Sequence, residues 1–133
     1  MTDPAVRLTI PASSGYLVLA RTTVAAMCAR LDYPIDRLDD VKLAVDEACS
    51  VILKDSLPGE PIQIVFTPED DGHLQIVLSG VTHHGRPPKA TSFAWTVLTA
   101  LVEEVEASAD GDSRISIRLR AARGTTDAPS AVS

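Results

Sequence analysis

Asp39–Asp55 reads DDVKLAVDEACSVILKD, and the architecture can be built outward from its periodicity. Val41, Ala44, Val45, Ala48, Val51 and Ile52 recur at three- and four-residue intervals, the spacing of one helix face. The stretch is therefore an amphipathic helix with an apolar stripe turned toward a core. Asp46 and Glu47 interrupt that stripe, and Glu47 lies close to the apolar face. Charged side chains rarely enter a core unpaired, so an acid at its edge is either a solvated boundary residue or one kept there for chemistry. Helix pattern alone favours the boundary residue.

The flanking segments supply the remaining elements. Toward the N-terminus, Tyr16–Leu31 (YLVLARTTVAAMCARL) carries a second apolar stripe of Tyr16, Leu17, Ala20, Val24, Met27 and Leu31. Val18 and Thr22 flank Arg21 on its more exposed side. Val6–Ile10 (VRLTI) alternates as a strand does, and Pro11 ends it. Ser13 or Ser14 is placed to cap the first helix, and Leu31-Asp32-Tyr33-Pro34 breaks it. Asp36 or Asp39 begins the second helix, and Pro58-Gly59 turns the chain after it. Ile62–Thr67 and His73–Ser79 form a hairpin around the acidic turn PEDDG.

Gly80–Thr91 is a loop rich in Gly, Pro and His. Ser92 caps a third helix running to about Glu103, and Val105 and Arg114–Arg120 lie in further strands. The expected fold class is α+β, a two-layer sandwich in which about three helices cover one face of a mixed, mostly antiparallel sheet. The expected organisation is one domain over residues 1–120 and a disordered tail over 121–133.

Composition narrows the classes of function. The chain has 133 residues, enough to bury one core. Hydrophobic residues make up 45% and charged residues 23%, which excludes disorder over most of the length. A net charge of −6 argues against a nucleic-acid surface, which needs clustered Lys and Arg, and suits steering toward a basic protein. The start, MTDPAVRLTIP, lacks a secretory leader, and no segment has the apolar length to span a bilayer, so a cytoplasmic location is expected. Cys28 and Cys49 fall on the two predicted helices and read as small buried apolar residues. No Cys/His spacing resembles a metal-ligand set.

Taken in order, the Ala-Arg-x-x-Val-Ala-Ala helix, the Asp-x-Lys-x-Ala-Val-x-Glu-Ala helix and Phe93–Gly111 (FAWTVLTALVEEVEASADG) resemble anti-sigma factors of the RsbW and SpoIIAB type. These belong to the Bergerat-fold ATPase superfamily, shared with histidine kinases, gyrase and heat-shock chaperones. The set most resembles the actinobacterial subgroup typified by UsfX. The resemblance runs from about Val6 to Leu119 and implies the histidine-kinase-like ATPase fold and a homodimer.

The resemblance also assigns roles. It places Glu47 where active members carry the general base that deprotonates a serine hydroxyl receiving the γ-phosphate. One turn later, where active members carry a Mg²⁺-binding asparagine, this chain has Val51, which offers no oxygen. Active members follow the strand equivalent to His73–Ser79 with Asp-x-Gly-x-Gly, whose aspartate recognises adenine. Here the sequence is LSGVTHHGRPP, with no acid between Leu78 and Lys89. The family's later Gly-Leu-Gly, which lets phosphate reach backbone N–H groups, corresponds to Ser92, Phe93 and Ala94. Phe93 and Trp95 are expected as core or partner contacts. His83, His84, Arg86 and Lys89 retain charge that could meet phosphate, on what reads as a solvated loop.

Phosphoryl transfer depends on positioning and on metal and donor charge, so these departures imply a vestigial base at Glu47 and the loss of most kinase activity. No cofactor or metal is expected; ATP and Mg²⁺ enter only if the degenerate pocket still binds them. Arg21 matches an arginine that in related proteins contacts both sigma factor and antagonist, which makes Arg21, Val18 and Thr22 the partner-binding candidates. The resemblance thus implies an anti-sigma factor that sequesters an alternative sigma factor of the stress or sporulation kind. An anti-anti-sigma protein of the STAS type would relieve it, with no direct nucleic-acid or membrane contact. Two alternatives stay open: an active ATP-dependent serine kinase of the anti-anti-sigma protein, and a regulatory module for another protein.

Overall fold

The computed structural model describes residues 4–124. The element order is β1 (Val6–Pro11), a 3-10 turn (Ser14–Tyr16), α1 (Leu17–Arg30), α2 (Ile35–Lys54), β2 (Pro61–Pro68), β3 (His73–Val81), α3 (Phe93–Leu101), β4 (Glu104–Asp110) and β5 (Arg114–Ala122). The strands form one sheet in the order β1-β2-β3-β5-β4. All four pairings are antiparallel, so the parallel component allowed for by a mixed sheet does not occur among the described residues. The reason lies in the connections. The hairpins β2–β3 and β4–β5 pair their own strands, and the helical crossovers bring β2 against β1 and β5 against β3 in opposite directions.

Alternation along the strands sorts the sheet into two faces. Rows running across all five strands, such as Leu8–Ile64–Leu78–Ile117–Ala107, place apolar residues on one side. Phe66, Ile76 and Leu119 lie in the next such row and are fully buried. The opposite rows carry Thr9–Gln63–Ser79–Ser116–Ser108 and Arg7–Val65–Val77–Arg118–Glu106. All three helices contact the covered side. The central helix, α2, packs between α1 and α3 and rests on β2, β3 and β5. Val41, Ala44, Val45, Ala48, Cys49 and Ile52 of α2 are completely buried, so the stripe in Asp39–Asp55 is the spine of the core.

Ile52 sets one local requirement. A Cβ on Gly80 of β3 would lie 2.7 Å from its Cγ2. Only glycine lets α2 descend this close to the sheet.

Several boundaries differ from expectation for identifiable reasons. Neither Ser13 nor Ser14 caps α1 through its side chain. A 3-10 turn intervenes instead, held by Tyr16 N–H donating to Ser13 O. Tyr16 then falls before the helix and is exposed rather than part of the stripe, whereas Leu17, Ala20, Val24 and Met27 are buried. The α1 stop is at Leu31–Pro34 as expected, with Asp32 in the left-handed region (φ 62°) that short polar side chains tolerate. The second helix begins at Ile35, behind Pro34, ahead of both expected starting acids. At the other end, α3 stops at Leu101 because Val102 already has strand geometry and leads into β4. Finally, β5 passes the boundary expected at Arg120, with Ala121 buried and Ala122 still paired. The expected tail beyond residue 124 lies outside the described residues.

Candidate functional site

At 3.6 residues per turn, neighbours in the α2 sequence fall on different flanks. Asp46 faces α1, where its Oδ1 accepts a hydrogen bond from Arg21 Nη1 at 2.7 Å. Glu47 lies on the other flank, two turns after Asp40. Arg37 pairs with Asp40 and also donates to Leu101 O at the end of α3. Glu47 and, one turn on, Val51 therefore look toward α3. Glu47 is half-buried, and its side chain makes no hydrogen bond or ion pair among the described residues. Val51 packs against the core cluster.

The loop between β3 and α3 closes this side of the molecule. His83 N–H donates to Asp55 O at 2.8 Å, and His84 N–H donates to the Asp55 carboxylate at 3.2 Å. The His84 ring sits against the same carboxylate, Nδ1 to Oδ1 at 3.2 Å. Thr82 is fully buried. Its N–H donates to Ser113 O, while its hydroxyl accepts from Gly85 N–H at 2.8 Å. Gly85 has φ +60°, and a Cβ there would meet the Ser113 backbone at 2.9 Å, so this corner requires glycine.

At the far end of the loop, Ser92 caps α3 as expected, its hydroxyl accepting from Trp95 N–H at 3.2 Å. A helix N-terminus offers free N–H donors to an anion, and here one is already occupied by a side chain. Phe93 is 80% exposed and so is not a core contact, while Trp95 is half-buried.

Of the candidate partner residues, Val18 and Thr22 are exposed on the outer side of α1, with Arg21 between them and Asp46. The Arg21 and Asp46 side chains are 40% and 37% exposed. One bond to Asp46 uses one of the five guanidinium N–H donors, so the arginine is oriented without being consumed. The structure thus divides the candidates between two flanks of α2: Arg21, Val18 and Thr22 on the α1 side, and Glu47 on the α3 side.

Three anchors escaped the sequence reading. Arg37 Nε donates to Ala122 O at 2.8 Å and Nη1 to Leu101 O at 2.8 Å, while Nη2 pairs with Glu103. It joins the start of α2 to the ends of α3 and β5. The Tyr33 hydroxyl donates to Ala121 O at 2.7 Å, and burial pushes its pKa well above the usual phenol value. Arg120 binds Glu69, Asp71 and Glu104 across the open sheet face.

The Arg120 cluster bears on metal binding. Glu69, Asp71 and His73 place ligand atoms within 4.8 Å of one another at the β2–β3 turn. The guanidinium already serves both carboxylates, at 2.7 and 2.6 Å.

Both cysteines are free and buried, and burial pushes each thiol up to about 12.

Comparison with known proteins follows the same lines. No family model matches the chain. It is 35% identical over 108 residues to an anti-sigma-F factor RsbW of Mycobacterium tuberculosis, a match spanning 80% of this chain and 63% of that protein. It is 38% identical over 48 residues to a serine-protein kinase RsbW of Halalkalibacterium halodurans, covering 36% of this chain and 30% of the relative. A serine-protein kinase RsbW of Bacillus mycoides is 30% identical over 76 residues, 56% of this chain and 47% of the relative. The chain thus spans less than two thirds of the length of each of these relatives.

A crystal structure of the RsbU and RsbW domains of a Mycobacterium tuberculosis protein superposes with a TM-score of 0.72 over 90% of this chain and 32% of that one. At 15% identity that likeness establishes the fold. The chain is thus similar in sequence to proteins of the RsbW type over most of its length, as the order of its helical motifs implied.

Proposed function

We propose that this chain is a cytoplasmic anti-sigma factor that captures an alternative sigma factor of the stress or sporulation kind without using nucleotide. Release comes from a small anti-anti-sigma protein of the STAS type competing for an overlapping surface. One observation carries the reading: Arg21 stands half-exposed on α1, oriented by Asp46 and bordered by exposed Val18 and Thr22. An oriented guanidinium beside an apolar side chain suits a bidentate contact to a partner carboxylate, the kind of anchor that dominates interfaces. The similarity to a mycobacterial anti-sigma-F factor over 80% of the chain supports the same class of partner.

The α3 flank supports the nucleotide-free part. Val51 is committed to the core where an oxygen ligand for Mg²⁺ would be needed, and Ser92 spends its hydroxyl on the α3 cap. The residues present do not fit ATP with Mg²⁺, and Glu47 is read as a vestigial base. Homodimerisation belongs to the same reading.

The test is capture of purified stress-type sigma factors by the immobilised chain under reducing, low-salt conditions, with Arg21→Gln as comparison. Retention by the wild type and loss in the variant supports the proposal. Failure to retain any sigma factor overturns it.

A second reading rests on Glu47, half-buried and without a partner among the described residues, as a general base needs to be. In that reading the chain is a serine kinase acting on the anti-anti-sigma protein. Transfer of labelled γ-phosphate to a STAS serine would establish it.

A further inference from the structure

We infer that the outer face of α3, together with the loop leading into it, is a docking surface for a partner segment that is acidic and carries an apolar anchor. The helix FAWTVLTAL contains no charged residue. A helix at the surface of a water-soluble domain normally turns charged or strongly polar groups outward. Here Leu98 turns inward and is buried, while Phe93, Thr96, Thr99 and Ala100 are exposed. Phe93, at 80%, is the most exposed large apolar side chain described. An isolated exposed apolar residue needs no explanation, but an aromatic on a helix face without charge has the composition of an interface centre.

Charge identifies the occupant. The chain carries a net charge of −6, yet residues 82–92 (THHGRPPKATS) contain Arg86 and Lys89 and no acid. Elsewhere Arg21, Arg37, Arg118 and Arg120 are matched by carboxylates, while Arg7, Lys42, Lys54, Arg114 and Arg123 have no ion pair among the described residues, so what sets the loop apart is two cations in a stretch without any acid. On the loop, His84 is matched by Asp55, whereas Arg86 and Lys89 are exposed and have no ion pair among the described residues. Lys89 is fixed close to the aromatic, because its carbonyl accepts from both the N–H and the hydroxyl of Ser92, the residue before Phe93. The Thr82–Gly85–Ser113 corner pins the other end of the loop, which lowers the ordering cost of binding.

Two cations in an acidic protein are too few for a nucleic-acid backbone, which needs several phosphate contacts. They are enough to orient an acidic peptide whose apolar residue covers Phe93. Nothing here depends on the α1 surface, so this inference and the anti-sigma reading stand or fall separately.

Trp95 is the single tryptophan of the chain and sits two residues from Phe93, which makes its fluorescence the readout. The probe is a Trp-free amphipathic helical peptide of Glu, Leu and Ala, titrated into the full chain. A saturable shift in Trp95 emission is expected. Phe93→Ser and the double variant Arg86→Glu/Lys89→Glu should each weaken it about tenfold or more, the loss of one interface anchor. Arg7→Gln, on the edge strand β1 at the other end of the sheet, should bind as the wild type does, and these variants should all melt normally because the side chains are exposed. The same peptide with Lys in place of Glu should not bind. The inference is overturned if the two peptides bind alike, if the acidic peptide does not bind, or if both loop and Phe93 variants leave affinity unchanged. Preferential binding of a single-stranded oligonucleotide would also overturn it.

Discussion

Arg21 of α1 and Asp46 of α2 meet at 2.7 Å across the outer seam between the two helices, and both remain more than a third exposed. An ion pair so exposed is screened by water and contributes about 0–1 kcal/mol to stability. Its consequence is geometric: it fixes where the guanidinium points.

This separates folding from recognition. Arg21→Gln should lower stability by less than about 1 kcal/mol in urea unfolding. The exchange Arg21→Asp with Asp46→Arg should restore most of that stability and still fail to retain a sigma factor, because the cation then projects from the wrong helix. Retention by the exchanged protein would mean that only the presence of the pair matters.

Arg37 should behave in the opposite way. Its side chain is 17% exposed and donates to the carbonyls of Leu101 and Ala122. Arg37→Met keeps the aliphatic stem and strands both acceptors, so a loss of about 2–4 kcal/mol is expected in the urea midpoint. Arg37→Lys should recover only part of it, since an ammonium lacks the planar fork that reaches two carbonyls and Glu103 together. A variant as stable as the wild type would show that the carbonyls find other partners.

Acid should weaken the open sheet face. The backbone N–H of His73 lowers Asp71 below its ordinary value of 3.8. The Arg118 guanidinium lowers Glu104 and Glu106 below 4.5. Groups depressed in the folded state stabilise it fully above their unfolded pKa and progressively less as pH falls through the folded value. Thermal midpoints should therefore hold near neutrality and begin to fall below about pH 4.5. Replacing Arg118 with Gln should flatten that part of the pH profile, and an unchanged profile would remove Glu104 and Glu106 from the account.

Cys28 and Cys49 should be inert in the native protein. With burial raising both thiols to about 12, almost no thiolate exists at pH 8. An aromatic disulfide reagent should titrate neither until denaturant is added, then both. Rapid native labelling of either would show an opening of the α1–α2 layer.

How much of this could be read from the chain depends on how local each signal is. The spine of α2 was legible because its stripe repeats over about three turns, and the β2–β3 hairpin because an acidic Gly-containing turn separates two alternating runs. Ser92 was legible as a cap because capping is decided within one turn. Tyr16 was misplaced because a 3-10 turn shifts the helix start by one residue, enough to rotate that side chain into solvent.

Arg37 was missed because its partners lie 64 and 85 residues away. One local clue existed. A cation in the first turn of a helix opposes the macrodipole, which marks a position needing a tertiary reason. At the candidate site, sequence proposed Glu47 and Arg21, but not that α2 holds them on opposite flanks, nor that Arg21 is oriented by Asp46 rather than free.

The most direct measurement is calorimetric titration of a stress-type sigma factor into the purified chain, with and without Mg-ATP. The account predicts saturable binding of the same affinity in both conditions, no heat from Mg-ATP alone, and loss of sigma binding in Arg21→Gln. Binding that appears only with Mg-ATP, or no binding in either condition, would contradict it.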